Sequence, residues 1–145
     1  MPQKPKTQNV MNKDINTYTL NFRGYWVKPN IKTIPATPGV FTVYECEYDS
    51  EGVVLKELIF IGKSENLHDS IENLDEHTFS KDSKLCYTIA ETALSNIDVV
   101  ENALVFAQKP RLNTEGKENF KYRTPVVFTL EGRCKLMSYT NFEIK

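Results

Sequence analysis

Two stretches, VFTVYECEY at Val40–Tyr48 and VVLKELIFI at Val53–Ile61, are rich in β-branched and aromatic residues, and only Asp49–Gly52 separates them. Two strand-forming runs joined by a short polar turn ending in Gly specify an antiparallel β-hairpin. Side chains alternate across a strand, so Phe41, Val43 and Glu45 take one face and Val40, Thr42 and Tyr44 the other. Gly62 ends the returning strand. A helix is expected after it, with Ser64 as N-cap and Leu67, Ile71 and Leu74 forming one apolar stripe at i, i+4 and i+7.

The rest of the chain reads as a small α+β domain. Tyr18–Phe22 alternates and predicts a short strand. The segment from Arg23 to Gly39 contains Pro29, Pro35 and Pro38 and reads as an irregular loop. Leu85–Ala90 predicts a third sheet strand, and the stretch EHTFSKDSK before it a loop. Ile97–Lys109 predicts a helix, capped by Asp98 and ended by Pro110, with Val100, Leu104 and Ala107 on one face. Thr124–Tyr139 predicts a C-terminal hairpin with Glu131-Gly132 at its turn. The polar segment 1–16 reads as a flexible tail, and 17–145 as one domain.

Composition narrows the function classes. The 145 residues are 40% hydrophobic and 26% charged, ordinary for a globular protein with its own core. No apolar run approaches the roughly 18 residues that span a bilayer, and the N-terminus has no hydrophobic signal region. Cys46, Cys86 and Cys134 are odd in number and widely spaced. They predict free thiols in a cytoplasmic protein, with neither a disulfide framework nor a zinc site. The net charge of −1 is unevenly spread. Residues 1–44 carry six Lys/Arg and one acid, 45–100 four and thirteen, and 101–145 eight and five. The two basic ends could supply a nucleic-acid-binding face, and the acidic middle would oppose it.

The ordered set PGVF (Pro38–Phe41), FIGK (Phe60–Lys63), Asn66-Leu67, Glu101 and KPRLN (Lys109–Asn113) resembles the GIY-YIG nuclease family over residues 38–113. The resemblance implies an antiparallel sheet flanked by helices, with an extra C-terminal hairpin here, and phosphodiester hydrolysis assisted by Mg²⁺ or Mn²⁺. It implies that Glu101 holds the metal. Phe41 and Phe60 occupy the positions of the two name-motif tyrosines, and Ser70 that of an arginine. Lys63, Arg111 and Asn113 become candidates for nucleic-acid contact, with DNA as the implied partner. No nucleotide cofactor and no membrane partner are implied.

The departures bear on chemistry. Phosphodiester cleavage needs an activated water and neutralised phosphoryl charge. Phe41 and Phe60 keep aromatic bodies without hydroxyls, and Ser70 carries no charge. Loss of an electrostatic donor costs on the order of 10²–10³ in rate, and of a general acid–base partner about 10²–10⁴. His77, seven residues after Ser70, would share its helix face if the helix ran that far. His68 would point away, Tyr44 lies on the wrong strand face, and the face of Tyr87 is open. In RGYWVK, Tyr25 and Trp26 stand among the basic Arg23 and Lys28, a composition that could stack on unpaired bases but that suits core or lid packing better. The sequence therefore predicts a nuclease-like domain, catalytically impaired, that binds nucleic acid or a protein. The alternative is an active metal-dependent endonuclease with atypical catalytic residues.

Overall fold

The computed structural model describes residues 15–145. Of the expected tail, residues 1–14 lie outside the described residues, and Asn16 already opens the first strand. The elements run β1 (Asn16–Trp26), a 3-10 turn (Lys28–Thr33), β2 (Gly39–Asp49), β3 (Gly52–Ser64), α1 (Leu67–Glu72) and α2 (Glu76–Phe79). They continue with β4 (Lys84–Glu91), a 3-10 turn (Leu94–Asn96), α3 (Ile97–Gln108), β5 (Val126–Gly132) and β6 (Asn141–Ile144). The strands form one six-stranded sheet in the order β3-β2-β4-β1-β5-β6. The class is α+β, and no described helix is long and apolar enough to cross a membrane.

The sheet is mixed, which corrects the expectation of an antiparallel one. β5 follows α3 and lies parallel to β1, from Asn16 opposite Val126 to Phe22 opposite Gly132. The other neighbours are antiparallel. β1 also runs four residues past Phe22, because Arg23–Trp26 find a second partner in β4. The C-terminal pairing is corrected as well. β5 pairs with Asn141–Ile144, and the connecting segment 133–140 is irregular after Gly132, whose φ of 82° suits glycine.

β2 is covered on both sides, and the alternation read from the sequence decides what covers it. Val40, Tyr44 and Cys46 join a core with Leu58, Ile61, Cys86, Val100, Ala103 and Leu104. Phe41 and Val43 join a second core with Leu67, Ile71, Leu85, Tyr87 and Ile89. So α1 packs on one face of the sheet and α3 on the other. A bulge at Ile59, between the Val43–Phe60 and Tyr44–Leu58 pairings, puts Ile59 and Phe60 together in the α1-side core.

The helix after β3 starts later than Ser64. β3 continues to Ser64, and Asn66 is the N-cap, its side chain accepting from the Asp69 N–H. The segment expected as a loop, Glu76–Lys84, includes the single-turn α2. α3 ends at Gln108, and its true N-cap is Asn96.

Three buried carboxamides fasten irregular chain to these elements. Asn113 Oδ1 accepts from the Ile61 N–H and its Nδ2 donates to the Ile61 carbonyl, both at 2.9 Å. Asn102 Nδ2 donates to the Asn119 carbonyl at 3.1 Å, and its Oδ1 accepts from the Lys121 N–H at 2.9 Å. Gln108 does the same with both backbone groups of Tyr139. Asn113 thus pairs with the free edge of β3, beside a Leu112 N–H bond to the Ile59 carbonyl.

Asn113→Ala would leave both the N–H and the carbonyl of the buried Ile61 without their side-chain partner, and urea denaturation is expected to show a loss of about 1–3 kcal/mol. Arg111→Ala, which removes an exposed side chain from Glu45 and Glu57 on the same segment, is expected to leave the midpoint nearly unchanged. Equal effects from the two would contradict the role given to Asn113.

Candidate functional site

The sequence-predicted site residues fall into two groups, one on each side of the sheet. On the α1 side, Phe41 and Phe60 lie together, ring centroids 6.2 Å apart and tilted by 42°. Phe79 meets Phe60 edge-on at 5.2 Å. Gly62 lies under both rings: a Cβ there would collide with Phe41 and stand 3.0 Å from Phe60. Ser70 Oγ shares a 2.5 Å hydrogen bond with Ser64 Oγ, which also accepts from the Asn66 N–H. The Ser70 hydroxyl therefore ties α1 to the end of β3.

No charged or acid–base group joins that aromatic cluster from the expected positions. α1 stops at Glu72, so Ser70 and His77 share no helix, a correction to the alignment expected of them. His77 is exposed on α2. Tyr87 does lie on the Phe41 side, but it is buried and its hydroxyl donates to Glu76 at 2.6 Å. Burial first, then the Glu76 hydrogen bond and charge, push its pKa upward, so it stays protonated. Tyr44 lies on the opposite face, donating to the Lys135 carbonyl at 2.6 Å. Trp26 packs against the α1-side core and donates to Thr33, and Tyr25 packs edge-on against Tyr44. His68, Asp69 and Glu72 bring ligand atoms within 4.8 Å of one another; His68 Nε2 lies 3.4 Å from Glu72, an ordinary i, i+4 contact.

The second group forms a cleft of about 340 Å³ on the α3 side, lined by Lys63, Asp98, Glu101, Asn102, Glu115, Gly116, Lys121 and Tyr122. Lys63 follows Gly62 and points to the opposite face from it, toward α3. Its Nζ bonds Asp98 Oδ1 at 2.8 Å, and that contact raises the Lys63 pKa. Asp98 and Glu101 are three apart on α3 and so face the same way. Glu101 is half-buried. Burial raises its pKa, opposed by the positive charge of Lys63 and, more weakly, of Lys121; Asp98 and Glu115 add to the rise. Asp98, Glu101 and Glu115 line this cleft, but among the described residues the three carboxylates do not gather to the mutual 4.8 Å spacing that His68, Asp69 and Glu72 reach. Among the described residues Glu101 has no hydrogen-bonded partner of its own like the one Asp98 has in Lys63, so its carboxylate is the one an incoming cation would meet first.

The other two expected nucleic-acid contacts are placed differently. Asn113 is buried, and both ends of its amide are engaged by Ile61. Arg111 is exposed and forms ion pairs with Glu57 at 3.2 Å and Glu45 at 3.3 Å. Lys121 and Tyr122 were not among the expected site residues. They lie beyond the region of resemblance, on the segment that Asn102 holds. The signal was the run Phe120-Lys121-Tyr122-Arg123, which alternates aromatic and basic residues.

The raised Glu101 pKa has a measurable consequence. The folded state holds that proton more tightly than the unfolded chain does. Its stabilising contribution is therefore complete below the unfolded value, about 4.3, and lost as pH rises through the raised folded value. Glu101→Gln is expected to raise Tm at neutral pH, with the gain shrinking toward zero on acidification. A gain that grows in acid, or a loss at neutral pH, would contradict this electrostatic picture.

No protein-family profile matches the chain, and no solved structure matches it. Among curated proteins it is similar to UvrABC system protein C of Cytophaga hutchinsonii. The two are 29% identical over 107 residues, an alignment covering 66% of this chain. The chain spans 16% of that protein's length.

Proposed function

We propose that this chain is a GIY-YIG endonuclease-like domain with an impaired catalytic centre, acting as a nucleic-acid-binding module. The observation that carries the reading is the packing of Phe41 and Phe60 over Gly62. Both rings stand where the resemblance calls for hydroxyls, and their contact keeps the architecture while offering no proton donor or acceptor. Ser70 hydrogen-bonds Ser64 and contributes no charge for a phosphoryl group. The similarity to a UvrABC system protein C supports a nuclease-related, DNA-repair-related role.

The Glu101 cleft is the binding surface in this reading. Lys63 and Lys121 supply positive charge for phosphates, the main source of affinity for nucleic acid. Glu101, with Asp98 or Glu115, would hold a divalent cation, which when bound supplies Lewis-acid polarisation of a phosphoryl oxygen. The chain's own groups hold Glu101 in place through α3 and set its charge through Lys63. The presence of three carboxylates in one cleft favours the second reading, an active metal-dependent endonuclease in which Glu101 is retained.

Incubation with plasmid and branched DNA in Mg²⁺ or Mn²⁺ separates the two readings. The first expects little or no cutting, together with DNA binding that weakens steeply as salt rises. Lys63→Ala is then expected to weaken binding of all sequences and to reduce the salt slope by about 1. Robust cutting by the native chain, abolished by Glu101→Ala in a folded protein, would refute impairment and establish the second reading. No binding at low salt would refute the nucleic-acid role and turn attention to a protein partner.

A further inference from the structure

The segment between α3 and β5 has no regular secondary structure, yet it is firmly placed. Asn102, buried within α3, bonds the backbone at Asn119 and Lys121, and Gly116 lies close against that same amide. Phe120 packs inward, 6.4 Å from Phe106. Tyr122 rests on Phe120, centroids 5.5 Å apart, and remains 41% exposed. Lys121 and Arg123 flank it and are exposed. A solvent-facing tyrosine supported from behind by a second ring, between two cations, has the composition of a base-stacking platform.

Tyr122 also stands between two concavities. One is the Glu101 cleft. The other, about 390 Å³, is lined by Tyr18, Ser95, Asn96, Arg123 and Thr124 among others, and it shares Tyr122 and Asp98 with the first. The two make a groove across the start of α3, with Lys63 and Lys121 at one side of the tyrosine and Arg123 at the other.

We propose that this groove receives an unpaired nucleic-acid strand, with a base stacked on Tyr122 and its flanking phosphates met by Lys121, Arg123 and Lys63. The proposal rests on the nucleic-acid reading above and specifies its substrate class. The chemistry favours a single strand over a duplex. Asp98, Glu101 and Glu115 repel the phosphates of either form, but a duplex keeps its base faces in its own stack and so has no stacking contact with Tyr122 to offset that repulsion. An unpaired strand presents a π-face, and stacking on an aromatic ring is tolerant of sequence.

The test is fluorescence anisotropy of the full chain with labelled oligo-dT and with a duplex of the same length, at low and moderate salt. The native chain is expected to bind oligo-dT more tightly. Tyr122→Ala is expected to weaken that binding about 5- to 150-fold and to weaken duplex binding by a smaller factor, with circular dichroism confirming the fold. Tyr122→Phe should bind as the native chain does. Tyr122→Trp should bind as well, its emission quenched by the oligonucleotide. Oligo-dT binding unchanged in Tyr122→Ala, or a preference for duplex, would overturn the groove while leaving the nucleic-acid reading intact. Binding of neither DNA would overturn both.

Discussion

A strand can be held by its neighbours, but irregular chain has no ladder, and in this protein buried carboxamides take that place. Asn113, Asn102 and Gln108 each satisfy a backbone donor and a backbone acceptor at once. Each is nearly inaccessible to solvent, and among the described residues no buried side-chain polar atom lacks a partner. A two-sided amide contact in a dry setting fixes both position and direction of the chain it grips. The segments after α3, the free edge of β3 and the approach to β6 all depend on it. The Glu101 cleft depends on it most directly, because Asn102 supplies a wall of the cleft and also sets where Lys121 and Tyr122 lie.

The second constraint is the burial of β2 on both faces. With α1 on one side and α3 on the other, whatever lies on α1 and whatever lies on α3 are separated by the sheet. On the α1 side Phe41 is buried, and the partly exposed Phe60 and Ser70 pack beside it against Gly62 and Ser64. Lys63 and Glu101 belong to a polar, hydrated cleft. Phe41 and Phe60 make apolar contact with no hydroxyl that would need a partner, while the charges of Lys63 and Glu101 line the cleft on the other side.

Patterns closed within a short stretch were legible in the sequence. The β2–β3 hairpin, the face assignments of Phe41 and Val40, the body of α3 and strand β4 all follow from local periodicity. What required distant partners was not. The last residues of β1 are strand because β4 lies beside them, and β5 is parallel to β1 because α3 carries the chain back. Ser64 looked like a helix cap, but its hydroxyl serves Asn66 and Ser70 at the end of a longer strand. The site was legible in part. Glu101 and Lys63 were expected from the resemblance and do share a cleft. Asn113 looked like a surface contact because its two partners, the N–H and carbonyl of Ile61, are backbone groups 52 positions away. Lys121 and Tyr122 were hidden because their placement depends on Asn102, a polar residue in a helix otherwise read for its apolar stripe.

The proposed function puts ligand recognition on the α3 side of the sheet and leaves the aromatic cluster on the α1 side to packing. Amide chemical-shift mapping by NMR during titration with a short DNA oligonucleotide tests it most directly. Shifts are expected to concentrate at Lys63, at Asp98–Asn102 and at Lys121–Arg123, with Phe41, Phe60 and Ser70 unmoved. Shifts centred on Phe41, Phe60 and Ser70, with the α3 cleft silent, would contradict it.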